Sequence, residues 1–304
     1  MVGVERINLI ELDKVRELLD ISQTDLESSE ILFNHKKYPN AVWDLLQSVE
    51  KSTKAEVLMN SLIKFDELKS KIGHNPLPMY EADITDNMKK AEGLKEAINK
   101  IPELGKIPAI EKLNLDDYIA KGNFAKQTLN SISKKEKIFS DDINELDGAI
   151  EEMNKLINEV KNIDMKAITD EGVKMYQKAY VDNVKAWIEL SEKQGIPISE
   201  EEKNQNLNIT EETIKSIADN LRKNMVLYGI THALNSVLSI LIMPHFDFVR
   251  YPDKKKPLEY YNENNPLIIK FNKLIEIQKE NLGYNKELLE IIERYYKNKI
   301  IIEK

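Results

Sequence analysis

Apolar and small side chains recur in steps of four and three along most of this chain, the spacing of one face of an α-helix. Over about residues 9–34, Val15, Leu19, Ser22, Leu26, Ser29 and Phe33 fall on a single stripe, and the two serines are small enough for a neighbouring helix to approach closely. Asn34-His35-Lys36-Lys37-Tyr38-Pro39 ends that stretch, with Pro39 suited to the first turn of the next helix. The second helix, about 40–63, carries Val42, Leu45, Leu46, Val49 and Val57 on its apolar side. Glu50 precedes Lys54 by four residues, the spacing of an exposed ion pair. The short joint predicts an antiparallel hairpin, closed by Gly73, Pro76 and Pro78.

Met88, Ala91, Leu94 and Ile98 mark a further helix, broken by Pro102, Gly105 and Pro108, and another is expected over 115–133. Ala149, Met153, Leu156, Val160 and Ile163 form one narrow seam, and Val173, Tyr176, Tyr180, Val184, Trp187 and Leu190 a second. Together they predict a long helical hairpin with a coiled-coil-like interface. Gly195-Ile196-Pro197 closes it, and residues 199–206 read as a polar loop. The next helix is capped by Asn208 or Thr210, with Glu211 and Glu212 at the positive end of its dipole. Leu221, Val226, Ile230, Ala233, Leu234, Val237, Leu238 and Leu241 make it apolar on several sides, as befits the centre of a bundle. Two amphipathic helices, about 266–281 and 284–301, complete the pattern.

Composition narrows the class. Ten glycines and ten prolines in 304 residues are too few for a sandwich, barrel or doubly wound sheet, so the fold class is all-α. There is no cysteine, which removes disulfides, thiolate metal sites and cysteine nucleophiles. The four histidines form neither His-x3-His nor His-Glu-x-x-His, so no metal and no cofactor is expected. Neither a glycine-rich nucleotide-binding motif nor a secretory signal is visible, and the apolar run 237–244 is too short for a bilayer. The expectation is a cytoplasmic protein without membrane contact. With a net charge of −8, any nucleic-acid contact must come from a local patch. Lys134-Lys135-Glu136-Lys137 and Lys254-Lys255-Lys256 are the basic clusters that could supply one.

Three stretches carry a resemblance: 25–33, beginning Asp25-Leu26; Tyr38-Pro39-Asn40-Ala41-Val42; and Gln47-Ser48-Val49-Glu50-Lys51-Ser52-Thr53-Lys54-Ala55. In spacing and chemistry they resemble the opening of a HEPN domain, a helical module of prokaryotic RNases, toxins and nucleotide-binding proteins. Gly73-His74-Asn75 resembles a step that often comes next in that family, and Arg250-Tyr251-Pro252-Asp253 a segment near the end of some members. The resemblance implies a HEPN-like helical bundle over 9–79 and 209–304, with a helical insertion over 80–208 that holds the long hairpin. It also implies a homodimer and a role in RNA metabolism or defence, as an RNase or toxin-like effector acting without metal. Two alternatives are a non-catalytic module binding RNA or a nucleotide, and a scaffold that docks a protein partner through the insertion.

Catalytic members of that family resemble one another in an Arg-x(4–6)-His motif, in which a cation faces the scissile phosphate and an imidazole moves the 2′-hydroxyl proton. No arginine here stands at that spacing from a histidine. The nearest surrogate is Lys69 before His74, a point charge in place of a planar fork. His245 and Arg250 offer the pair in reversed order, joined if an extended turn precedes Pro252. These four are the candidate catalytic residues. Asn75, Glu50, Lys51 and Tyr251 are the candidate supporting residues, the bland alternative for Glu50 and Lys51 being an ion pair on the hairpin.

Overall fold

The computed structural model describes residues 9–60, 64–106, 114–133, 138–163, 170–251 and 258–302. Among them there is no strand, and the chain is all-α. In chain order the helices are α1 (Leu9–Asn34), α2 (Tyr38–Met59), α3 (Leu68–Lys71), α4 (Leu77–Lys100), α5 (Leu115–Ser133) and α6 (Ile143–Asn162). The remainder are α7 (Asp170–Lys193), α8 (Glu200–Leu207), α9 (Glu211–Ile242), α10 (Phe246–Arg250), α11 (Pro266–Ile269) and α12 (Phe271–Ile302). Both basic clusters, Pro252 and Asp253, Pro108 and Ile63 lie outside the described residues, as does the side chain of Leu221.

Two compact units divide the chain. The first comprises Met1–Ala82, Gln127–Ile163 and Val226–Lys304, the second Asp83–Lys126 and Asp164–Met225. Residues 127–163 thus go with the two ends of the chain, and 209–225 with the middle, where boundaries near 80 and 208 had been expected.

In the first unit, α1 and α2 form the hairpin that their stripes predict. Ser22 Oγ donates to the Ser48 carbonyl at 2.6 Å and Ser29 Oγ to the Ala41 carbonyl at 2.7 Å. Serine has no bulk to hold the helices apart, and each buried hydroxyl finds a backbone acceptor. The joint is a Schellman turn: Lys37 N–H bonds to Leu32 O and Lys36 N–H to Phe33 O, with Lys36 at φ +59°. Helix α12 packs on both members, and Phe271 stacks on Phe33 at 4.7 Å. The two C-terminal helices expected over 266–281 and 284–301 are one continuous helix, preceded by the short α11. Gly283 does not break it: one glycine costs a helix interior about 1 kcal/mol, which the packing of α12 on α1, α2 and α6 outweighs.

The buried stripe of α6 is Leu146, Ile150, Met153 and Ile157, which packs against α11 and α12. Of the seam expected there, only Met153 is buried, while Ala149, Leu156 and Val160 flank it half-buried. Both registers are apolar at four-three spacing, and the partner helices select the one that faces them. Helix α7 belongs to the other unit, so the expected hairpin is divided between the two.

The second unit is smaller. Residues 199–206, expected as a loop, form α8 with a capping box in which Ser199 and Glu202 satisfy each other's backbone N–H groups. Tyr180 donates to Asn206 Oδ1 at 2.9 Å and Gln177 to the Ile209 carbonyl at 2.8 Å, tying α7 to the end of α8 and to the start of the α9 segment. A Cβ at Gly122 would meet the Met88 side chain at 2.6 Å, so α5 lies close to α4 there and a larger residue would require Met88 to shift.

The interior of the first unit holds a polar ladder as well as an apolar core. Ser48, Ser52 and Glu56 on α2, Thr231, Asn235 and Ser239 on α9, and Gln278, Asn281 and Asn285 on α12 are all fully buried. Asn235 Oδ1 accepts from Ser52 Oγ at 2.8 Å and from Asn281 Nδ2 at 2.7 Å, while its Nδ2 donates to Glu56 Oε2 at 2.8 Å. Gln278 Nε2 donates to Ser48 and Ser52, and its Oε1 accepts from Asn281. The stretch Arg222–Arg250 is apolar and long enough to cross a bilayer by length and composition, and half of its most apolar window is buried.

Asn235 joins three helices, so Asn235→Ala leaves the Glu56 carboxylate and two donors short of partners. The variant is expected to lose about 2–4 kcal/mol of stability in chemical denaturation. A loss under about 0.5 kcal/mol would show that the ladder does not hold the helices together.

Candidate functional site

Trp43, Gln47, Glu50 and Lys54 succeed one another at helical spacing along one face of α2. Two other segments close over that face. One is the turn after α3, where Gly73 takes φ +57° and the Asn75 side chain caps α4 by accepting from Leu77 N–H at 3.1 Å. The other is the 3₁₀ turn Met243–His245 and α10, packed on α2.

Phe246 is where they meet. Its ring lies 5.3 Å from Trp43 and 5.5 Å from His74, the latter nearly parallel at 21°. The Arg250 guanidinium sits 5.9 Å from the centroids of both Phe246 and Trp43, and 5.2 Å from that of Tyr251. Beside His74 opens a cleft of about 320 Å³, whose lining includes His74, Asn75, Phe246 and Asp247. Leu77, Ile132 and Met243 form apolar parts of its wall.

His74 Nδ1 is 3.2 Å from Glu50 Oε2, and the other oxygen of that carboxylate takes Lys54 Nζ at 2.5 Å. Glu50 is 4% exposed and the His74 side chain 63% exposed. A neutral imidazole facing a carboxylate carries its hydrogen on Nδ1, which leaves Nε2 as the basic nitrogen. In the Glu50–Lys54 pair expected on the surface, Glu50 is buried and Lys54 half-buried. Lys51 pairs instead with Asp25 at 2.8 Å and with Gln47 Oε1 at 3.0 Å. Lys69 stays exposed on α3.

His245 and Arg250 part company. Five residues along a helical path turn a side chain to nearly the opposite face, and no extended turn separates the two. Arg250 and Tyr251 stand exposed at the surface, whereas His245 is fully buried. Its Nε2 lies 2.6 Å from Ser140 Oγ and its Nδ1 3.0 Å from the Tyr261 hydroxyl. Ser140 gives its one hydrogen to the Leu241 carbonyl at 2.9 Å, so it accepts from Nε2–H and Nδ1 accepts from Tyr261. Both ring nitrogens are satisfied in the neutral form, and His245 pins the segment that carries Phe246.

A second acid–imidazole pair lies farther along α2. His232 Nδ1 is 2.8 Å from Oε1 of the fully buried Glu56, and the Tyr80 ring meets His232 edge-on at 5.4 Å. The His232 side chain is half-buried, and the sequence pattern did not single out Glu56. The available signal was register: Glu56 stands seven residues after Val49, within the apolar stripe. Trp43 and Phe246 were missed because single aromatics carry no spacing signal. Among the described residues no group of three ligating side chains converges on a metal-sized gap. Compared with protein-family models, curated proteins and solved structures, the chain matches none.

Burial, and then the neighbouring Glu56 carboxylate, push the Tyr80 phenol well above its ordinary value of 10.0. Burial likewise raises Tyr260 and Tyr261. A raised folded-state value contributes stability that is present below pH 10.0 and lost as the pH climbs, because the unfolded chain ionises first. Tyr80→Phe should flatten part of the stability loss measured by denaturation from about pH 9 to about pH 11, with Tyr260, Tyr261 and Tyr284 keeping their share. Equal slopes for the variant and the parent would show that Tyr80 ionises alike in the folded and unfolded states.

Proposed function

We propose that this protein is a HEPN-like ribonuclease of RNA metabolism or defence, cleaving single-stranded RNA without a metal at the His74–Phe246–Arg250 surface. The observation that carries this reading is the exposed His74 imidazole, oriented through Nδ1 by the buried Glu50 and stacked on the ring that Arg250 also touches. The family resemblance of the hairpin adds to it.

The chemistry is set by those positions. Nε2 of His74 removes the proton of a ribose 2′-hydroxyl, and the freed oxygen attacks the adjacent phosphorus. The 2′-oxygen–phosphorus bond forms as the bond to the 5′-oxygen breaks, and the imidazolium returns its proton to that leaving oxygen. Arg250 supplies positive charge for the phosphate as negative charge builds on its oxygens. Trp43, Phe246 and Tyr251 are rings on which unpaired bases stack, an interaction worth about 1–3 kcal/mol per base. Glu50 and Lys54 act through His74 as positioning residues.

A second reading is capture of RNA or a nucleotide without turnover. It is favoured by the lysine at position 69, where the family carries arginine, and by the grip of three rings on Arg250.

Cleavage and binding of labelled single-stranded RNA, measured in chelator, separate the two. His74→Ala is expected to reduce cleavage by about 10²–10⁴-fold while leaving RNA affinity within a few-fold. Arg250→Ala should weaken both. Cleavage unchanged by both substitutions would remove these residues from the mechanism, and tight binding with no cleavage by the parent protein would establish the second reading.

A further inference from the structure

We infer that Phe246 is a positioning residue for both halves of the candidate site, its ring setting the plane of the His74 imidazole and the seat of the Arg250 guanidinium together. The inference rests on the ribonuclease reading above and concerns how two groups from separate segments come to serve one phosphate. His74 lies in the turn after α3 and Arg250 at the end of α10. Both are exposed, so burial holds neither of them in place.

One hydrogen bond does not orient an exposed imidazole. The contact with Glu50 at 3.2 Å fixes where Nδ1 lies, but the ring can still tilt about that point, and Nε2 tilts with it. The stack on Phe246, with centroids 5.5 Å apart and planes within 21°, supplies the second constraint by setting the ring plane. An anchored nitrogen, a fixed plane and the bond to Cβ together leave Nε2 one direction, which is what proton transfer at a bound substrate requires. Arg250 follows Phe246 by four residues, so the two share a face of the single turn of α10. A free arginine side chain samples many rotamers, whereas this guanidinium lies 5.9 Å from the Phe246 centroid, with Trp43 and Tyr251 narrowing its range further. Phe246 is itself held. It is half-buried, Trp43 lies against it at 5.3 Å, and Ser140 and Tyr261 pin the preceding residue, His245. One ring thus meets both the proton-transfer group and the phosphate cation, which the sequence places on different segments.

Steady-state cleavage of labelled single-stranded RNA by the full chain tests this role, at a temperature where circular dichroism shows each variant folded. Phe246→Leu keeps apolar bulk and removes the ring, and Phe246→Tyr keeps the ring. The leucine variant is expected to lower kcat by about 10–100-fold, the cost of misplacing reacting groups by about 1 Å, and the tyrosine variant to stay within a few-fold of the parent. A rise in KM with kcat unchanged would show that the ring serves only as a surface for bases. A loss of kcat as large in Phe246→Tyr would show a merely structural part. Either result, or full activity in Phe246→Leu, overturns the inference and leaves the ribonuclease reading standing. No cleavage by the parent protein overturns that reading and the inference with it. The stack has a readout that needs no change at Phe246, should the leucine variant fail to fold. In the magnetic resonance spectrum of the parent, the His74 imidazole protons, assigned by their absence from His74→Ala, are expected to be displaced by the ring current of Phe246. Resonances at the position of a free histidine would overturn the inference.

Discussion

A carboxylate held wholly out of water costs several kcal/mol unless donors are already fixed around it, and the first unit is organised about such a group. Glu56 receives a hydrogen bond on each oxygen, from His232 and from Asn235, both on α9. Asn235 in turn accepts from Ser52 on α2 and Asn281 on α12. Apolar stripes alone allow helices to rotate or slide by a residue at small cost, as the two apolar registers of α6 illustrate. A ladder of matched donors and acceptors does not, because a shift leaves each member unpaired in a low-dielectric interior. The ladder therefore sets the register of α2, α9 and α12 together.

The candidate site inherits that register. Glu56 and Glu50 stand six residues apart on α2, so fixing the first fixes the position from which the second meets His74. On the other side, His245 anchors the chain between α9 and α10 through Ser140 and Tyr261, and Phe246 is the next residue. The two histidines have opposite fates for a plain reason. His245 has both ring nitrogens satisfied by protein and no exposure, whereas His74 spends one nitrogen on Glu50 and keeps most of its surface in solvent. Arg250 meets His74 across Phe246, not through His245.

Much of this architecture was legible along the chain. The α1–α2 hairpin, its close approach at Ser22 and Ser29, the breakers at Gly73 and Pro76, and the all-α class come from periodicity and from residues with narrow conformational tastes. Helix ends were read less well. The continuity of α12 through Gly283 and the capped helix α8 were missed: one glycine costs a helix only about 1 kcal/mol, and glutamates following the N-cap Ser199 favour a helix start over a loop.

What the sequence by itself determined was the all-α class and the buried stripes of α1 and α2; it marked His74, Glu50 and Arg250 only as candidates. Tertiary structure decided who their neighbours are. Periodicity specifies a stripe but not its partner, so α6 and α7, patterned alike, fall in different units. Ring contacts and hydrogen bonds between residues 43, 50, 74, 246 and 250 depend on how three separate segments cross. That crossing is set by long-range packing and by the buried ladder, neither of which leaves a local pattern along the chain.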